Sequence, residues 1–154
     1  MTAAHLKFGI PDLDLTSASG VKINPSNFAG HHLIVLFCPD DPEQAAGEMN
    51  LYRHHCADFV EHDAWLLAFG DEREATTVNG PARILTVPDP GRRAWTAFRD
   101  LTDYPEAFEW GGGAVFLFTS GGNLHRYWHG PGHVHDVLDQ LRDPLNEDQD
   151  PLAT

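Results

Sequence analysis

The sequence predicts an α/β protein: a central mixed β-sheet flanked by helices, with extra strands ahead of it at the amino end. Three observations predict this. The runs His32–Cys38 (HLIVLFC) and Ala64–Gly70 (AWLLAFG) are continuously apolar, as strands buried on both faces must be. Between them lies a stretch with helical spacing of apolar residues, so strands alternate with helices, as in an α/β sheet. Near the end, residues 110–130 read as strand, Ser120-Gly121-Gly122 turn and strand, a β-hairpin that adds antiparallel strands.

The remaining elements follow in order. Residues 8–23 (FGIPDLDLTSASGVKI) alternate apolar and polar around Ser19-Gly20, the pattern of a short hairpin or a pair of edge strands. NPSNFAG (24–30) is a turn or a single helical turn anchored by Phe28. After the first apolar run, Asp41 suits a helix N-cap, Pro42 the first helical position, and Gln44 is placed to reach back. Ala45, Met49, Tyr52, Cys56 and Phe59 then make one apolar stripe, predicting a single helix to about Glu61. Glu48, Arg53, Asp58 and Glu61 lie off that stripe and are expected in water. A further helix is expected from Asp71 to a stop at Asn79-Gly80. ARILTVPDP (82–90) gives a short strand and a turn, and residues 91–101 a helix with Ala94, Trp95, Phe98 and Leu101 inward. Residues 132–143 form the last helix, with Val134, Val137, Leu138 and Leu141 inward. One domain therefore spans 1–142, and 143–154 is an acidic tail expected to be disordered.

A chain of 154 residues fits one domain. At this size roughly 70% of the unfolded surface can be buried, so neither a disulfide nor a metal is required for folding. The net charge of −13 disfavours nucleic acid and anionic membranes as partners. Two cysteines cannot build a secreted disulfide framework. The amino end lacks a basic region followed by an apolar run, and no apolar stretch is long enough to span a bilayer. A reducing cytoplasm is the expected compartment.

A series of landmarks carries a family resemblance: PDLDL at 11–15, Gly20, FAG at 28–30, VLFCP at 35–39, Glu48, LLAFG at 66–70, VPDPGRRAWTAF at 87–98 and VFLFTSGGNL at 115–124. In this order and spacing they resemble the peroxiredoxins of the alkyl hydroperoxide reductase and thiol-specific antioxidant group, over about residues 8–142. The resemblance implies a thioredoxin-like fold, thiol-dependent peroxide reduction and frequent homodimerisation. The family motif places a Pro, then a Thr, a Cys three residues on, and a Glu three beyond that. Pro39 and Glu48 match its ends with one residue fewer between them. The Cys position falls on Ala45 or Ala46, and the Thr position on Pro42 or Glu43. Where the family has an Arg before the late strand, this chain reads Gly111-Gly112-Gly113-Ala114. The resemblance thus implies a redoxin with a degenerate active site, marked by Pro39, Asp41, Ala45, Ala46, Glu48 and Gly113.

Three features remain as candidates for chemistry. Cys38 ends a buried strand beside Asp40 and Asp41, and both burial and like charge disfavour a thiolate there. Its plain reading is a core thiol, and the alternative is a relocated nucleophile or redox sensor. Cys56 lies on the apolar stripe and reads as core. The segment LHRYWHGPGHVH puts His125, Tyr127 and His129 on one strand face, with His133 and His135 opening the next helix. His125, His129, His133 and His135 are therefore candidate ligands for a transition metal, against the plain reading of surface or capping histidines; no other cofactor is expected. The pairs His31-His32 and His54-His55 read as surface. The three glycines allow unusual backbone angles or close approach of another chain or a ligand, with Trp110 and Trp128 as candidate pocket walls. A protein or small-molecule partner at this face is the alternative to catalysis.

Overall fold

A computed structural model of the chain describes residues 9–17, 20–69, 83–89, 92–103, 105–107, 109 and 111–142. The helix expected over 71–80, Trp110 and the 143–154 tail lie outside the described residues.

The strands are β1 (Leu15–Thr16), β2 (Lys22–Ile23), β3 (His32–Phe37), β4 (Ala64–Phe69), β5 (Ile84–Val87), β6 (Ala114–Phe118) and β7 (Leu124–His129). The α-helices are α1 (Pro42–His54), α2 (Cys56–Glu61), α3 (Arg93–Arg99) and α4 (Val134–Arg142). β1 and β2 pair antiparallel as a separate two-stranded ribbon. The other strands form one five-stranded sheet in the order β5-β4-β3-β6-β7. β3, β4 and β5 run parallel, whereas β6 is antiparallel to β3 and β7 to β6.

Both faces of the sheet are covered, and β3 shows why its sequence is apolar throughout. Side chains alternate across a strand. Leu33, Val35 and Phe37 enter the core beneath α3 and the β1–β2 ribbon, with Trp95, Phe98 and Phe116. Ile34, Leu36 and Cys38 enter the opposite core, against Met49 and Tyr52 of α1, Phe59 of α2, and Val137 and Leu138 of α4. The first core is aromatic: Phe37 stacks on Phe69 at 4.9 Å and meets Trp95 edge-on at 5.1 Å between centroids.

The predicted apolar stripe from Ala45 to Phe59 faces the sheet, but it is carried by two helices. His55, at φ −106° and ψ 19°, interrupts the α-helical hydrogen bonding between α1 and α2. Its Nδ1 faces Asp58 Oδ2 at 3.2 Å, a local side-chain contact of the kind that favours helix ends over helix interiors. A second difference concerns Glu48. It was expected in water, yet it is 6% exposed, because the turn ahead of α4 closes over this part of α1.

β7 departs from a regular strand at His125. Arg126 pairs with Leu117 and Leu124 with Phe118, so His125 is the extra residue of a β-bulge. A bulge rotates the side chains on either side of it out of phase. Tyr127 therefore packs in the aromatic core, whereas His125 Nε2 meets Gln140 Oε1 of α4 at 2.9 Å. The face expected to carry His125, Tyr127 and His129 together is broken by this bulge.

Candidate functional site

The carboxyl end of β3 turns into α1 through Cys38, Pro39, Asp40 and Asp41, and every residue of this turn is held. Cys38 donates its backbone N–H to Phe69 O at 3.0 Å. Its side chain lies in the helix-covered core with Ala45, Met49 and Tyr52, 9% exposed. Cys38 and Cys56 are both thiols, not disulfide-bonded. Pro39 is buried, and Asp40 donates its N–H to Gly111 O at 2.9 Å. Asp41 is extended and caps α1: its Oδ2 accepts the Gln44 N–H at 3.2 Å and its carbonyl the Ala45 N–H at 2.9 Å.

The first turn of α1 thus presents a carboxylate at the positive end of the helix. Ala45 points into the core at 6% exposure, and Ala46 is half-buried. None of residues 38–48, 111–113 and 130–133 is Lys or Arg. The turn offers no thiol on the helix, no hydroxyl and no cation of its own.

The glycine loop lies directly against this turn. Gly111 has φ +89°, and a Cβ placed there would meet Asp40 Cγ at 2.7 Å and its Cβ at 3.3 Å, with a carboxylate oxygen nearer still. Gly113 has φ +86°; its carbonyl accepts the Gly130 N–H at 2.8 Å, and a Cβ would touch the Gly130–Pro131 backbone at 3.4 Å. The close approach that the glycines permit is made by the chain's own Asp40 and by the turn after β7.

Behind the turn lies a buried polar set that the sequence pattern does not reveal. Glu48 Oε1 accepts the Gly132 N–H at 2.9 Å, tying α1 to the β7–α4 connection. Burial pushes the Glu48 carboxyl up from its ordinary value, while the Gly132 N–H and nearby His133 offset part of that rise. One helical turn on, the Tyr52 hydroxyl is buried without a hydrogen-bond partner. Burial, followed by the nearness of the ionisable groups of Glu48, Cys38 and Asp136, pushes that phenol far above its ordinary value. The one sequence signal for Glu48 was its match to the family motif; helical periodicity placed it in water.

The structure disperses the late histidines. His125 is bound to Gln140, as described above. His133 lies in the turn before α4, with Nδ1 at 2.9 Å from Asp136 Oδ2 and Nε2 at 3.0 Å from the His129 carbonyl. His129 is exposed, and His135 is exposed beside His55 rather than beside the other three. Among the described residues, no three His, Cys, Asp or Glu side chains are placed to hold a metal ion. Trp128 stacks on His133, with centroids 6.2 Å apart, and packs on the helix-covered core.

One further residue escaped the sequence reading. Asp89, expected only as part of a Pro-Asp-Pro turn, accepts the N–H groups of Ala94 at 2.7 Å and Trp95 at 2.9 Å and so caps α3. Its five-residue offset from Ala94 falls outside the usual capping spacing.

No protein-family model matches the chain, and no curated protein matches its sequence at a significant level. Solved structures do match. Peroxiredoxin Q of Xanthomonas campestris is similar at 22% identity and a TM-score of 0.65, over 85% of this chain and 90% of that one. The mitochondrial 2-Cys peroxiredoxin of Plasmodium falciparum is similar at 14% identity and 0.68, over 94% and 96%. The reduced 2-Cys peroxiredoxin of Plasmodium vivax is similar at 14% and 0.69, over 92% and 97%. The chain therefore has the thioredoxin-like fold in its peroxiredoxin form, extra amino-terminal strands included. Among the described residues, no helix is long and apolar enough to cross a membrane.

Proposed function

We propose that this chain is a peroxiredoxin-like redoxin with a degenerate active site, without ordinary thiol-peroxidase turnover. One observation carries this reading: the first turn of α1 bears the Asp41 cap, Ala45 and Ala46 where a redoxin would present its thiolate. Reduction of a hydroperoxide by sulfur needs a thiolate that is stabilised and reachable. Here the helix end is already neutralised by a carboxylate. The nearest sulfur, Cys38, sits at the strand end with 9% exposure. A shared fold does not supply the missing groups.

The test is hydroperoxide consumption in the presence of a thiol reductant. The unmodified protein is expected to show no catalytic turnover, and Cys38→Ser to behave identically. Rapid consumption that disappears in Cys38→Ser would overturn the reading and make Cys38 a relocated nucleophile.

A second reading is that the same face binds a protein or small-molecule partner without catalysis. What favours it is rigidity: the Asp40–Gly111 and Gly113–Gly130 hydrogen bonds hold the β3–α1 turn and the glycine loop as one surface. Pull-down followed by amide-exchange mapping is expected to protect residues 39–46 and 111–113. Protection confined to other elements would count against it.

A further inference from the structure

Three imidazoles meet away from that face, where the end of α1 passes the start of α4. The rings of His54 and His55 are 5.3 Å apart between centroids, at 87°. Those of His55 and His135 are 5.5 Å apart, at 77°. The interruption between α1 and α2 falls at His55, the central ring of the three.

His55 is oriented by a carboxylate. Its Nδ1 lies 3.2 Å from Asp58 Oδ2, and Asp58 Oδ1 accepts from Arg142 at 3.3 Å. A carboxylate only accepts, so the His55 proton belongs on Nδ1 and the lone pair on Nε2. A carboxylate bonded to the far nitrogen is the usual support of a metal-ligating histidine.

The ring spacing fits one ion. A metal–nitrogen bond of ~2.0 Å puts a ring centre ~3.2 Å from the metal, so two tetrahedral imidazole ligands have centres ~5.2 Å apart. The observed 5.5 Å differs from this by a small side-chain rotation. His135 is exposed and therefore able to make it. We propose that His55 and His135 form a two-imidazole chelate for a late first-row divalent cation, Zn2+ first by geometry. Water completes the coordination. The site shares no residue with the β3–α1 turn and does not depend on how that turn functions.

The test is titration of the tag-free full-length protein with Zn2+ alone, followed calorimetrically and by competition with a chromogenic chelator. One equivalent is expected to bind saturably. His135→Ala, a change at an exposed position, is expected to weaken binding at least tenfold while leaving the circular dichroism spectrum unchanged. His125→Ala, which touches the other histidine-bearing strand, is expected to leave affinity unchanged. Affinity unaffected by His135→Ala, affinity lost only in His133→Ala, or no saturable binding below about 1 mM would each overturn the proposal.

Discussion

Replacing Gly111 by alanine tests whether the glycine loop is shaped by contact with the β3–α1 turn. At φ +89° an L-residue is strained by about 1–2 kcal/mol. The new Cβ would also sit 2.7 Å from Asp40 Cγ. Asp40 is exposed and can rotate away, which limits this second cost to roughly 0.5–1.5 kcal/mol. Alanine recovers about 0.4–1 kcal/mol through the lower entropy of the unfolded chain. The net expectation is a loss of about 2 kcal/mol, or a fall in melting temperature of about 4–8 °C for a chain of this length. Gly112→Ala is the control. No positive φ is recorded there, and the nearest atom a Cβ would meet is Glu109 O at 3.4 Å; this variant is expected to be neutral or slightly stabilised. Adding Asp40→Ala to Gly111→Ala removes the clash but not the strain, so a double-mutant cycle is expected to show coupling of about 0.5–1.5 kcal/mol. The assay is urea unfolding of five proteins: the unmodified chain, Gly111→Ala, Gly112→Ala, Asp40→Ala and the double variant. Gly111→Ala within about 0.5 kcal/mol of Gly112→Ala, or no coupling to Asp40, would refute the packing argument.

Burial raises the Glu48 carboxyl above its ordinary 4.5, so the native state holds that proton more tightly than the unfolded chain. The stability Glu48 contributes is complete below about pH 4.5 and is lost as pH rises through the native value; the advantage of Glu48→Gln is expected to grow between pH 4 and 7, and a shrinking advantage would contradict the sign. Tyr52→Phe removes a buried hydroxyl without a partner, so denaturant melts are expected to show no loss and a gain of up to about 1 kcal/mol; a loss above that would mean the hydroxyl is bonded. Asp89→Ala strips the acceptor from two α3 N–H groups and is expected to cost about 1–2 kcal/mol, with Asp89→Asn recovering part of it in the same assay.

The helix-covered core was legible because its determinants are local and periodic. Helical spacing brings Ala45, Met49, Tyr52 and Phe59 to one side of α1 and α2, and Val134, Val137, Leu138 and Leu141 to one side of α4. The capping role of Asp41 followed from its place before Pro42. The histidine candidates were less legible, since a single inserted residue in β7 changes which side His125 addresses. No pattern within the strand announces where a bulge will fall.

Among the described residues, the sequence by itself determined the strands of the sheet, the alternation of strands and helical segments, and the absence of sulfur from the first turn of α1. Those properties depend on residue type and short-range spacing, and burial of the apolar runs enforces them. Only the tertiary structure decided that Glu48 is buried, that Asp40 lies against Gly111, and that His55 meets His135. Each of these joins segments far apart in the chain, and the closeness of such segments follows from how the layers pack.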